Sequence, residues 1–325
     1  MERIEPYQPA WPFRNGHVST AYAGLLRGQR IRSIGSRRRI ETPDHDFLDL
    51  DLAVRGEEKL VVLLHGLEGN TGRPYMVNMA DRLLAAGYDV LAVNFRGCSG
   101  EPNHQLRSYH TGETRDLRFV MQWIVRHLPH RQYALVGFSL GGNVLLKYLG
   151  EEGADCLPGI QTAVAFSVPV DLASSSRQLD RGINRLYVRQ FLKTLIPKAL
   201  GKLETYPGHH LDREAIRRAT SFREFDQAFT APVNGFASAQ DYWEQASSLP
   251  YLSRIPLPVL MVNALDDPFL SPDCYPGDPD TLGNVRLESP AHGGHVAFPR
   301  WTRTGYYWSE ERVVHHLNSI MIQRG

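Results

Sequence analysis

Short runs of β-branched and other apolar residues alternate along the chain with segments whose apolar positions recur every three or four residues. KLVVLLHG (59–66) reads as a buried strand, and YDVLAVNF (88–95) and QYALVGF (132–138) read as the next two. AVAFSV (163–168), PVLMVNA (258–264) and the stretch from Asn284 to Glu288 predict three more. Between these runs the period changes. Leu117, Val120, Met121, Ile124 and Leu128 fall on one stripe of a helix that must pack against the sheet. Another helix begins near Pro74, where proline suits a first turn. The chain ends in a helix from about Ser309, with Val313, Leu317, Ile320 and Met321 on one side. This alternation predicts an α/β protein with a mostly parallel central sheet flanked by helices.

About ninety residues separate the fourth predicted strand from the fifth, too many for a structureless loop in a compact domain. Leu186, Phe191, Leu192, Leu195 and Ile196 are roughly helix-periodic there, and Arg181, Arg185, Arg189 and Lys193 recur every fourth residue. The expectation is a helical cap inserted at 171–255 into a single sheet domain built from 1–170 and 256–325.

Composition removes several function classes. Lys+Arg 36 against Asp+Glu 35 leaves a net charge of +1, so no overall field attracts nucleic acid or an acidic membrane. Cys98, Cys156 and Cys274 are odd in number and far apart, which fits reduced structural cysteines and neither a disulfide framework nor a paired zinc motif. MERIEPYQPAWPF offers no basic start and no apolar run of the secretory kind. The longest strongly apolar stretch, Leu60 to Leu64, is far below the roughly 20 residues of a membrane-spanning helix. A soluble, cytoplasmic protein is expected.

The candidate chemistry centres on Gly137-Phe138-Ser139-Leu140-Gly141, a G-x-S-x-G run lying between a strand and the helical segment GGNVLLKYLG. A sharp strand-to-helix turn needs glycine on both sides of a serine held in strained geometry. Serine is a weak nucleophile near neutral pH, so a histidine must take its proton and a carboxylate must orient that ring. Both partners should follow Ser139 in the sequence. Asp267 lies just past PVLMVNA and His295 lies in AHGGHVAF, each where a strand end delivers a side chain to one rim. Asp266 competes with Asp267, and His292 with His295. Spacing from Ala264 favours Asp267, and the approach through Gly293-Gly294 favours His295. His65-Gly66-Leu67 ends a buried strand and fits half of an oxyanion hole, with the backbone N–H groups of Leu67 and Leu140 as donors. The two loop histidines lack the spacing and third ligand of a zinc site. Gly66 to Gly72 lacks a phosphate-loop ending, and no dinucleotide fingerprint follows any strand. Neither metal nor cofactor is expected.

HGLEGN (65–70), FRGCSGEPN (95–103), Arg107-Ser108-Tyr109-His110, GFSLGGN (137–143), FTAPVNGF (229–236), NALDDPF (263–269) and HGGH (292–295) together resemble the YheT-like branch of the α/β-hydrolases, which includes bacterial esterases and mammalian abhydrolase-domain lipases. The likeness runs from about residue 10 almost to the C-terminus. It implies the α/β-hydrolase fold and an ester hydrolase with Ser139 as nucleophile, Asp267 as orienting acid and His295 as base. The family's pattern has a Gln where Ser19 stands. No His-x-x-x-x-Asp acyltransferase motif is present.

The expected function is therefore a serine carboxylesterase acting through an acyl-enzyme on a small-molecule ester, or on an acyl lipid, with no nucleic-acid partner. Thioester or amide hydrolysis on the same three residues, and ligand binding without catalysis, are the alternatives. The FRGCSGEPN turn and Tyr109-His110 are expected to make buried polar contacts. The Arg177 to Lys193 stripe is expected to be a solvated basic face, with contact to anionic lipid as its functional alternative.

Overall fold

Along β3 (Lys59–Leu64), Leu60, Val62 and Leu64 enter one hydrophobic core while Val61 and Leu63 enter another. A period of two with both faces covered is what a continuous apolar run predicts. The computed structural model describes residues 5–128 and 130–321. Its other strands are β1 (Ser36–Glu41), β2 (Phe47–Ala53), β4 (Asp89–Asn94), β5 (Gln132–Phe138), β6 (Ile160–Phe166), β7 (Val259–Val262) and β8 (Val285–Glu288). They form one sheet in the order β1-β2-β4-β3-β5-β6-β7-β8. From β4 to β8 every pairing is parallel, while β2 pairs antiparallel with both β1 and β4.

Helices cover both faces. α1 (Gly16–Leu25) precedes the sheet, and α2 (Pro74–Ala85) shares a core with the C-terminal helix Trp308–Ile320. α3 (Thr114–His127) and α4 (Leu140–Glu152) fill the opposite core with Leu117, Val120, Met121, Val144 and Leu145. The helices predicted at Pro74 and near Ser309 begin at Pro74 and Trp308.

The β1–β2 hairpin has no counterpart in the hydrophobic pattern. Four of the first five residues of β1 are exposed arginines or serine, and β2 carries Asp49 and Asp51 among its apolar residues. Arg37 faces Asp51 across the ladder and Arg39 faces Asp49, and each guanidinium makes two hydrogen bonds of 2.8–2.9 Å to its carboxylate. Cross-strand charge pairing holds this edge where apolar alternation would ordinarily do so.

The stretch between β6 and β7 is helical, with α5 (Leu172–Leu179), α6 (Arg185–Thr205), α7 (Arg213–Arg218), further short turns and the helix Ala239–Ala246. Leu192, Ala199, Leu203, Ile216, Phe225 and Phe229 give it a core of its own, which Phe269 also joins. The stretch ends inside the main core, where Leu252 and Ile255 pack. The basic stripe is not one helix face: Arg177 belongs to α5, Arg185, Arg189 and Lys193 belong to α6, and Arg181 lies in the turn between them. Among the described residues, no helix is long and apolar enough to cross a membrane.

Candidate active site

β5 ends at Phe138 and α4 starts at Leu140, so Ser139 alone turns the chain. It sits at φ 51° and ψ −116°, backbone geometry that costs a non-glycine residue on the order of 1–3 kcal/mol. Surrounding structure holds it there. The Ser139 N–H donates to the Phe166 carbonyl at 2.8 Å. A Cβ on Gly141 would stand 2.5 Å from the Leu64 carbonyl oxygen, so only glycine lets α4 approach β3 this closely.

The loop after β8 is fixed by three successive backbone amides, each bound to a different element. Gly294 donates to Asp266 Oδ1 at 2.8 Å, His295 to Thr20 Oγ1 at 2.9 Å and Val296 to Ser167 Oγ at 2.9 Å. The imidazole of His295 is thereby aimed at Ser139, with Nε2 2.9 Å from Oγ. Its Nδ1 lies 3.0 and 3.1 Å from the two carboxylate oxygens of Asp267. Asp267 also accepts the Phe269 N–H at 2.9 Å, and its side chain is completely shielded from solvent. A shielded carboxylate on Nδ1 selects the tautomer with the proton there and leaves Nε2 to accept the serine O–H. Phe269 stacks on the imidazole with ring centroids 4.1 Å apart, and Tyr187 and Phe191 of α6 pack on Phe269 in turn.

The competing pair meets elsewhere. Asp266 bonds His292 at 3.2 Å and the Gly294 N–H, so it holds the loop that carries His295 without touching that ring. The sequence alternatives thus resolve into two Asp–His pairs. Only the pair of Asp267 and His295 reaches Ser139.

Leu67 and Leu140 sit on the two turns that flank Ser139. A Cβ on Gly66 would lie 3.3 Å from Ser139 Cβ. Among the described hydrogen bonds, neither leucine amide donates to a protein acceptor. The Leu67 turn is held tightly. The Gly66 N–H donates to Tyr75 Oη at 2.9 Å and the Glu68 N–H to Tyr109 Oη at 2.9 Å, while Tyr109 donates to Glu68 Oε1. Burial raises the pKa of Tyr75 to about 12 and that of Tyr109 well above the usual phenol range, so both stay protonated. His65 is buried, which lowers its pKa to about 4. Its Nε2 accepts the Phe95 N–H at 3.2 Å and its Nδ1 donates to the Gly66 carbonyl at 2.8 Å.

The FRGCSGEPN turn builds a buried charge cluster. Arg96 binds Asp46 and Asp116 at 2.7 Å and Asp44 at 3.1 Å, with its side chain 1% exposed. Asn103 donates to Asp46 as well. Buried polar contact, as expected, is what this segment makes. His110 lies 3.5 Å from Glu113, whose carboxyl is pushed below the usual range, burial opposing the hydrogen bonds from His110 and Arg115.

Thr20, Ser167 and Phe269 shape the site and carried no sequence signal of doing so. Thr20 lies 275 residues from the amide it accepts, and no local pattern announces such a contact. Ser19 donates to the Phe13 carbonyl and ties the start of α1 to the preceding turn.

A family model described as alpha/beta hydrolase fold matches residues 59–299. An Escherichia coli (strain K12) protein named "Putative esterase YheT" is 36% identical over 319 residues, 96% of this chain and 93% of that one. The human protein "Phospholipase ABHD3" is 30% identical over 268 residues, 82% of this chain but 64% of its own length. Among solved structures, the Pyrococcus furiosus esterase Pf2001 superimposes with a TM-score of 0.58 over 88% of this chain and 93% of its own, at 19% identity, a likeness of fold.

Proposed function

The chain belongs to the YheT-like α/β-hydrolases, and we propose that it is a serine carboxylesterase in which Ser139, His295 and Asp267 act as a triad. The observation that carries this reading is the unbroken line of contacts from Ser139 Oγ through His295 to the shielded Asp267 carboxylate.

In this mechanism Ser139 Oγ attacks the ester carbonyl as its proton passes to His295 Nε2. The oxyanion is met by the N–H groups of Leu67 and Leu140, which are preorganised and lose no protein partner on binding it. His295 then protonates the leaving alcohol, and an acyl-Ser139 ester remains. Water, deprotonated by His295, attacks that ester and releases the acid. The buried Asp267 carboxylate stabilises the imidazolium in both halves. Every step is a proton or acyl transfer between groups this chain supplies, so the scheme calls for no cofactor.

The printed name of the human relative supports acyl lipids within the substrate class. Residues 171–255 act in this reading as a cap, supported by the contacts of Tyr187 and Phe191 with the phenyl ring that backs His295. The test is hydrolysis of p-nitrophenyl esters of increasing chain length by purified wild-type and Ser139→Ala proteins. Turnover by the wild type and its loss in the variant, by roughly six orders of magnitude, are expected. Equal rates for the two proteins would overturn the reading.

A further inference from the structure

Several large apolar side chains stand in solvent around the triad. Trp11 and Leu25 are 82% exposed, Leu26 72%, Trp301 67%, Leu265 61% and Leu186 57%. All of them lie on, or next to, elements that position His295 and Asp267. Segment 8–26 carries Thr20, segment 181–203 carries Tyr187, segment 289–309 carries His295, and Leu265 precedes the two aspartates.

These segments touch one another. The Phe13 ring lies 5.4 Å from Trp301, and His17 Nδ1 lies 3.2 Å from Tyr187 Oη. Asn184 donates to the Pro268 carbonyl at 2.7 Å. Gly16 packs so closely on Asp266 that a Cβ there would fall 1.8 Å from its carbonyl oxygen.

The charged residues that these three segments themselves carry have one sign. Segments 8–26, 181–203 and 289–309 contain no Asp or Glu, yet they include the exposed Arg14, Arg181, Arg185, Arg189, Lys193, Arg300 and Arg303, in a chain whose net charge is only +1. Of the neighbouring acids, Asp266 binds the Gly294 N–H and His292, and Asp180 and the exposed Glu224 lie in the field of Arg185. An arrangement of exposed tryptophan and leucine fringed by arginines and a lysine matches an interface with apolar depth and anionic headgroups.

We propose that this surface docks on an anionic phospholipid bilayer. Trp11, Leu25, Leu26 and Trp301 enter the boundary between headgroups and acyl chains, and the arginines of 181–189 meet the phosphates. The stripe that begins at Arg177 is therefore one edge of a surface whose apolar part comes from α1 and from the loop after His295. Docked this way, the protein takes its ester from the membrane side, and in that respect the proposal rests on the hydrolase reading above.

The test uses the full chain carrying Ser139→Ala, so that binding is read without turnover. Failure to bind then leaves the esterase assignment standing, and loss of that assignment leaves the binding result intact. Vesicles of brominated phosphatidylcholine with about 30% phosphatidylglycerol report contact by quenching tryptophan fluorescence. Trp123, Trp243 and Trp308 are buried, so quenching is expected from Trp11 and Trp301 and is expected to vanish in W11F/W301F. Binding is expected to weaken at least about tenfold in R181Q/R185Q/R189Q, and similarly in about 0.5 M salt. Three results overturn the proposal: no quenching, equal quenching by pure phosphatidylcholine, or quenching that survives W11F/W301F. A dimer that shields both tryptophans while vesicles stay unbound also overturns it.

Discussion

Replacing Asp267 by Asn should separate the two neighbouring acids decisively. The Asp267 carboxylate is shielded from solvent and has two oxygens within 3.1 Å of His295 Nδ1, and one of them also accepts the Phe269 N–H. An amide there can keep the Phe269 contact, but it cannot stabilise an imidazolium, and it favours the tautomer with the proton on Nε2, where the serine O–H must be accepted. Where this residue has been exchanged in other serine hydrolases the loss is about 10⁴ in kcat, or about 5.5 kcal/mol at 1.36 kcal/mol per decade. Asp266→Asn retains an oxygen for the Gly294 N–H and gives up only a partly exposed pair with His292. Pairs of that kind are worth about 0–1 kcal/mol, so its rate should fall by less than about tenfold. The assay is kcat/KM for a short p-nitrophenyl ester, with circular dichroism confirming that both variants fold. If Asp266→Asn loses as much as Asp267→Asn, or more, the geometry has been read wrongly.

Further outcomes follow from the packing around the site. Arg96→Met leaves the carboxylates of Asp46 and Asp116 buried without their cation, so urea unfolding should show a loss of about 3–5 kcal/mol, and an unchanged midpoint would deny the cluster its structural role. Gly141→Ala drives a methyl into the backbone of Leu64 and His65 and should cost about 1–3 kcal/mol or more, seen as a lowered melting temperature. His65 and His316 are both held neutral, burial lowering each pKa to about 4. Their stabilising contribution is complete above the unfolded histidine pKa of about 6.5 and is lost as pH falls from there toward 4, because the unfolded chain takes up the protons first. His316→Gln, which keeps a donor for Thr162, should flatten the fall in stability between pH 7 and 5, and an unaltered slope would contradict this.

The parallel part of the sheet was legible because buried strands need uninterrupted apolar runs. QYALVGF coincides with β5, and the other runs fall within a few residues of theirs. β1 was not legible, since its stability comes from Arg37 and Arg39 pairing with aspartates on β2, and that register exists only after folding. Ser139 was marked by its glycines. Spacing favoured Asp267 over Asp266 and the Gly293-Gly294 approach favoured His295 over His292, but the competing pair stayed in play because adjacent loop residues differ in direction, a property that spacing does not record. Thr20 and Ser167 were silent for a related reason: each acts by accepting one backbone N–H from a distant loop, and any serine or threonine in the chain could do so.

In the proposed mechanism the hydroxyl of Ser139 becomes the site of a covalent acyl group. Mass spectrometry on wild-type protein quenched during the first turnover of a p-nitrophenyl ester addresses it directly. One added acyl mass is expected on the peptide spanning Gly137 to Gly141, and none in Ser139→Ala. Steady ester hydrolysis with no adduct at Ser139, or with the acyl group on another residue, would contradict it.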